Sequence, residues 1–233
     1  MKTVAILQSN YIPWKGYFDL IRSVDEFIFF DDVQFTRRDW RNRNLIKTPN
    51  GLKWLTVPVE VSGRFTQKIS ETIISGNSWR NEHLKTLLLN YKKSSYFSEV
   101  YCLVEPIYLN TEVRNISFLN QAFIKAILKY LSIETQISDS TSFEVEVGRS
   151  ERLASICQQA GATHYVSGPS AKKYIDEDIF RRRGVRVCWF DYGEYPQYPQ
   201  LWGEFVHNVS ILDLIFNCGN LAVDFMGYKK KAH

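Results

Sequence analysis

Seventeen residues, DDVQFTRRDWRNRNLIK over Asp31–Lys47, concentrate more chemistry than a scaffold segment needs. They hold Asp31, Asp32 and Asp39, four arginines, Lys47, Trp40, Gln34 and the amides Asn42 and Asn44. Arg37, Arg38, Arg41, Arg43 and Lys47 place five cations within eleven positions, with only Asp39 among them. Such cations repel one another unless an anion neutralises them, and guanidinium forks match phosphate and carboxylate oxygens bidentately. A diphosphate or nucleotide fits this run. Nucleic acid is the alternative, with Trp40 stacking on a base, and a solvated charged face is the plainest explanation. Asn42 and Asn44 either bind or fix the loop backbone.

Other groups are spaced to join this segment. The apolar run Phe27–Phe30 leads into Asp31 and Asp32, which places them at the carboxyl end of a strand, where open α/β sheets hold ligands. Neighbouring strand residues face opposite ways, so one of the two carboxylates would face the ligand, take a proton from an amine or bind sugar hydroxyls. Gln34 would add an amide. Gln8, Asn10 and Tyr11 leave the first strand toward the same cleft, and the backbone at Trp14–Gly16 opens a helix suited to an anion. Trp14, Tyr17 and Trp40 are candidates to stack on a base or sugar. His83 shares a helical face with Trp79 and is the best-placed imidazole for acid–base work, although histidines on such faces are more often structural. Ser167-Gly168-Pro169-Ser170 offers two hydroxyls and a helix start for a phosphate, and Tyr192 opens a loop of rings and amides suited to a sugar face.

The elements that position these groups read as α/β. Thr3–Gln8 is a strand, Lys15–Ser23 a helix and Glu26–Phe30 a strand, which together make a parallel βαβ unit. Asn44–Thr48 and Lys53–Val59 flank Pro49-Asn50-Gly51 as a hairpin. Ser78–Tyr91, capped by Ser78, Tyr96–Asn110, with a break near Pro106, and Asn115–Leu131 read as helices. Strand and helix then alternate again: Glu134–Ser138, Ser150–Ala160, His164–Ser167, Asp176–Arg183, Arg186–Phe190 and a buried helix over Val209–Asn217. In that helix Asp213 and Asn217 share a face and either reach the site or form a structural pair. The expected fold is a doubly wound parallel or mixed sheet. Its N-terminal half covers 1–75, a helical insertion 76–133 and a second α/β half 134–233, all in one compact unit.

At 233 residues the chain is long enough to bury a core without staples. Aromatic residues make up 15% of it, enough to line a cleft with rings. The four cysteines stand singly, which points to a reduced, cytoplasmic setting and no zinc site. No signal peptide or membrane span is read from the sequence. The net charge of +4 comes largely from Lys229-Lys230-Lys231, read as a solvated tail, and argues against a broad RNA-binding surface. There is no Ser-His-Asp order, metal box or Gly-rich phosphate loop, so hydrolase and metalloenzyme classes lack support.

The runs LQSNYIPWKGYFDLI, DDVQFTRRDWRNRNLIK, WLTVPV, HYVSGPSAKKYI and VSILDLIFNCG resemble, in this order and from Ala5 to about Gly219, the WbqC-like family. That resemblance implies a part in bacterial O-antigen or other surface-polysaccharide synthesis, attaching an acyl or aminoacyl group to an amino sugar. The opening unit is also similar to adenylate-forming nucleotidylyl transferases, pantothenate synthetase among them, which carry H-x-G-H at the first helix. The matching positions are Trp14, Lys15, Gly16 and Tyr17: the glycine is kept, both histidines are replaced by rings, and the imidazole N–H donors for ATP phosphates are lost. The expectation is a transferase acting on a nucleotide-linked amino sugar. Arg37, Arg38, Arg41 and Arg43 would hold phosphates, and Asp31, Asp32 or His83 would serve as base. The donor would be an acyl adenylate, an acyl thioester or an aminoacyl-tRNA, with no metal and with any use of ATP left open. The other expectation is a non-catalytic module that binds a nucleotide sugar or RNA.

Overall fold

The computed structural model describes residues 1–144 and 146–227; the lysine run Lys229–Lys231 lies outside them. Five strands form one parallel sheet: β1 (Thr3–Leu7), β2 (Glu26–Phe29), β5 (Gln136–Asp139), β6 (His164–Ser167) and β7 (Arg186–Trp189). Their spatial order is β5-β2-β1-β6-β7, and every pairing is parallel. The chain therefore moves outward from β1 in one direction, then returns to the other side of β1. That reversal makes the gap between the carboxyl ends of β1 and β6 the topological switch point.

Alternation along the strands divides the core. Ala5, Phe27 and Phe29 face a large apolar cluster with helices α1 (Lys15–Arg22), α2 (Ser78–Tyr91), α3 (Phe97–Leu109), α4 (Ile116–Tyr130) and α7 (Ile211–Cys218). Val4, Ile6 and Ile28 face a smaller cluster with α5 (Arg149–Gln159) and α6 (Glu177–Arg182). A parallel sheet covered on both faces explains why these strands are apolar at successive positions.

The hairpin β3 (Arg43–Thr48) and β4 (Gly51–Thr56) stands apart as a two-stranded sheet. Thr48 pairs with Gly51 across Pro49-Asn50, and Gly51 takes a φ of 95°, which glycine adopts without a Cβ penalty. Two local expectations are corrected. The residue before α2 is Asn77, so Ser78 is inside the helix and is not its cap. Pro106 lies within α3 and does not break it, because it falls near the helix's end, where only one backbone bond is forfeited. Asn115 does cap α4, accepting from the backbone N–H groups of Ser117 and Phe118. Asp213 and Asn217 form a structural pair: buried Asp213 accepts from the hydroxyls of Tyr91 (2.8 Å) and Tyr198 (2.9 Å), and Asn217 bonds its backbone.

Candidate functional site

A cavity of about 940 Å³ opens at the switch point. Its floor is the end of β1 with Gln8 and the end of β6 with Ser167. One wall is the loop after β2, with Phe30, Val33 and Gln34. The start of α5 adjoins that loop, with Gly148, Arg149 and Arg152 lining the space. Gly168-Pro169-Ser170, Tyr174 and Tyr192 close the remaining side. Gly168 lets Tyr192 come close, since a Cβ there would sit 3.2 Å from the Tyr192 hydroxyl.

The positive charge of the cavity comes from α5. Arg149 lies 4.8 Å from the centroid of the Tyr174 ring, and Arg152 lies 4.8 Å from that of Phe30. Arg149 opens the helix and Arg152 follows one turn on, while Glu151 is the acid of that first turn and suits its dipole. Arg152 is ion-paired with Asp32, and burial lowers the pKa of its guanidinium from the ordinary value. Its Nε is buried with no protein partner. Glu146 is the one carboxylate among the described lining residues, and it pairs with Arg183 at 2.5 Å at the mouth.

The residues singled out from the sequence divide among several environments. Gln8, Gln34, Ser167, Ser170 and Tyr192 line the cavity. Asp32 reaches it through Arg152, while its second oxygen accepts from the Ser140 hydroxyl at 2.6 Å. Asp31 is buried away from it: one oxygen accepts the Ser9 N–H at 2.7 Å and the other the Ser117 hydroxyl. His83 sits in a box of Tyr11, Trp79 and Tyr108, bonded through Nδ1 to the Tyr11 hydroxyl at 2.9 Å. Burial pulls its pKa down to about 4, so the ring is neutral at pH 7. Tyr11 itself is fully buried and also bonds Tyr108 at 2.6 Å. Tyr17 is buried against Phe18 and Phe27 and donates to the Gln8 carbonyl at 3.0 Å.

The arginine run is not gathered at one point. Arg37 and Arg38 are exposed; Arg37 lies over Phe65 and donates to the Val61 carbonyl. Arg43 stacks on Trp54, 4.2 Å from the ring centroid, and donates to the Arg38 carbonyl. Arg41 alone turns toward the first loop, where its two Nη groups donate to Gln8 and Asn10. Lys47 is buried on another side, donating to Gln200 at 2.8 Å and to the Glu204 carbonyl. Asn42 fixes the backbone through the Val57 carbonyl at 2.8 Å. Trp14 packs against Tyr192 and Tyr195, with ring centroids 5.3 and 5.7 Å apart. It also explains Gly16, since a Cβ there would lie 2.3 Å from the Trp14 ring. Trp40 is 43% exposed and pairs with Trp54 at 5.5 Å.

Sequence reasoning missed Arg149, Arg152, Gly148 and Tyr174. The signal was present as two arginines three apart directly after a glycine. Gly148 has a φ of 110°, so the helix starts at Arg149, one residue ahead of the expected Ser150, and both guanidinium groups fall in or beside its first turn.

The fold and cavity define an α/β protein with a cleft at the switch point of a parallel sheet. The chain belongs to the WbqC-like protein family, whose profile matches residues 8–225. It is 55% identical over 228 residues to Rv1507c of Mycobacterium tuberculosis, a protein described only as uncharacterized; the match covers 98% of this chain and 99% of that one. No solved structure matches it. Among the described residues no helix is long and apolar enough to cross a membrane.

Proposed function

We propose that this protein binds a nucleotide-linked amino sugar in the switch-point cavity and transfers an acyl or aminoacyl group to its amine, a step in surface-polysaccharide synthesis. The observation that carries the reading is Arg149 and Arg152 at the start of α5, opposite Ser167–Ser170 across a cavity at the ends of β1 and β6. Oriented backbone N–H groups and guanidinium groups around one space suit a diphosphate. In the transfer the sugar nitrogen attacks the donor carbonyl. A C–N bond forms, the bond from the carbonyl to the sulfur or oxygen leaving group breaks, and the amine proton leaves with that group.

One observation favours the second reading, a binding module without catalysis. Asp31 and His83 are held by scaffold hydrogen bonds, and Asp32 is paired with Arg152. A transferase built this way works by holding an already activated donor against the amine, with little proton abstraction by the protein.

The test is incubation with nucleotide-linked amino sugars and a panel of acyl thioesters, acyl adenylates and aminoacyl-tRNAs, followed by mass spectrometry of the sugar nucleotide. The expected result is an amide mass gain that is lost in Arg152→Ala. Binding of the sugar nucleotide without a mass gain from any donor would leave the binding module. Thermal stabilisation by RNA alone would overturn the sugar-nucleotide reading and leave a module that binds RNA.

A further inference from the structure

A second cavity of about 340 Å³ lies beside the first, against the loop that follows β1. Trp14 and Trp40 wall it, and three of its seven lining residues are asparagines: Asn10, Asn44 and Asn208. No charged side chain lines it, in contrast to the cavity at α5. Its size falls at the small end of ligand pockets, suited to one ring.

Side-chain contacts link the linings of the two cavities. The Arg41 guanidinium donates at one end to Gln8, which lines the large cavity, and at the other to Asn10, which lines the small one. The rings of Trp14 and Tyr192, one from each cavity, meet at 5.3 Å. A ligand that crossed over this bridge would place a charged part in one space and a neutral ring in the other.

The small cavity is held rigidly. Ile12, buried beneath it, has a φ of 37°, a backbone state costly for a β-branched residue. Its carbonyl is held there by the Asn44 amide at 2.9 Å and the Ser210 hydroxyl at 2.8 Å. The Trp40 carbonyl accepts the Tyr11 N–H at 2.9 Å, which ties both tryptophan-bearing loops together. Asn10 presents its carbonyl oxygen to Arg41, which leaves its NH₂ on the far side, and Asn208 adds an exposed amide at the rim. Amides donate and accept at once, as sugar hydroxyls do, and indole faces cover the C–H face of a pyranose.

We propose that the Trp14–Trp40 cavity is a glycosyl subsite, taking the neutral pyranose ring of a sugar nucleotide whose diphosphate lies in the α5 cavity. This rests on the function proposed above and assigns which part of the ligand each space selects. Arg41 is then the residue that sets the spacing between the two parts.

The test is calorimetric titration with uridine and thymidine diphosphates and with their N-acetylhexosamine conjugates, against the wild type, Trp40→Ala, Asn208→Ala and Arg152→Gln. The conjugates are expected to bind the wild type about tenfold more tightly than the bare diphosphates. Trp40→Ala is expected to remove that advantage and leave bare-diphosphate affinity in place, Asn208→Ala to reduce the advantage, and Arg152→Gln to weaken both ligands alike. Because Asn208 is an exposed rim residue, its variant keeps the test open if Trp40→Ala disturbs the hairpin. Equal wild-type affinity for conjugate and bare diphosphate would overturn the glycosyl subsite while leaving nucleotide binding intact. Loss of bare-diphosphate affinity in Trp40→Ala would overturn it in favour of a base in that cavity. Absence of binding by every probe would sink this inference, whereas the proposed function is decided by the amide mass gain described above.

Discussion

Asp32 and Arg152 form an ion pair that ties the loop after β2 to the start of α5, beside the switch-point cavity. The pair does two things at once. It holds a guanidinium near a helix start, and it aims that group at the space a ligand would fill.

Arg152→Gln is expected to lower affinity for nucleoside diphosphates by about tenfold to a hundredfold, the scale of one charge-assisted fork. Asp32→Asn releases Arg152 without removing it, and is expected to change affinity less than Arg152→Gln does. The Arg152 and Asp32 side chains are 24% and 13% exposed, so breaking the pair costs more than at the surface, about 1–3 kcal/mol. Titration calorimetry alongside thermal melting separates the two effects, and equal affinity losses in both variants would count against Arg152 as the anion contact.

His83 gives the protein an acid-sensitive limb. Burial holds its folded-state pKa at about 4, against an ordinary value of 6.5. Between these values the unfolded chain binds the proton and the folded one does not, so this group's contribution is complete above about pH 6.5 and fades as pH falls toward 4. Denaturant unfolding at pH 7.5 and 4.5 is expected to show a loss of roughly 2–3 kcal/mol from this residue. His83→Gln should flatten that limb, and an unchanged pH dependence in the variant would refute the assignment. A pH-rate profile with a limb near 6 to 7 would have to come from another group.

The distribution of roles shows what the sequence could reveal. The α4 stripe, the hairpin turn and the strand His164–Ser167 were legible because period and turn chemistry act locally. The strand order was not, since parallel pairing joins residues such as Val4 and Tyr165 that lie far apart in the chain. The charged run Arg37–Lys47 read as one anion cradle because spacing along a loop says nothing of direction. In the fold Arg37 and Arg38 face solvent, Arg43 lies on an indole and Lys47 is buried among the residues near Gln200. The Arg149–Arg152 pair is hidden in the sequence because a helix start one residue later, at Ser150, obscures which turn the two arginines occupy.

Asp31 acts on the fold. It ties the loop after β1 to α4 by accepting from Ser9 and Ser117, and both partners are buried. Asp31→Ala strands those donors, at a cost of roughly 2–4 kcal/mol. A melting temperature lowered by about 5–15 °C is the expected readout. Full stability together with lost turnover would instead assign it a chemical role.

Arg41 and its neighbours in sequence should respond differently to the same substitution. The Arg41 side chain is 15% exposed and bridges Gln8 and Asn10 with one planar fork. Lysine keeps the charge but reaches only one amide well, so Arg41→Lys should lose part of the affinity for a sugar nucleotide and Arg41→Ala more. Arg37→Ala is expected to leave both affinity and stability within about 0.5 kcal/mol of the wild type, as for ordinary surface positions. Arg38 has a φ of 56°, so Arg38→Gly places the residue best suited to that backbone and should not destabilise the loop. Titrations of the four variants against one hexosamine-linked nucleoside diphosphate decide the matter. If Arg37→Ala and Arg41→Ala lost affinity alike, the ligand would have to reach the exposed face of the loop, and the bridge between the two cavities would not be where selection occurs.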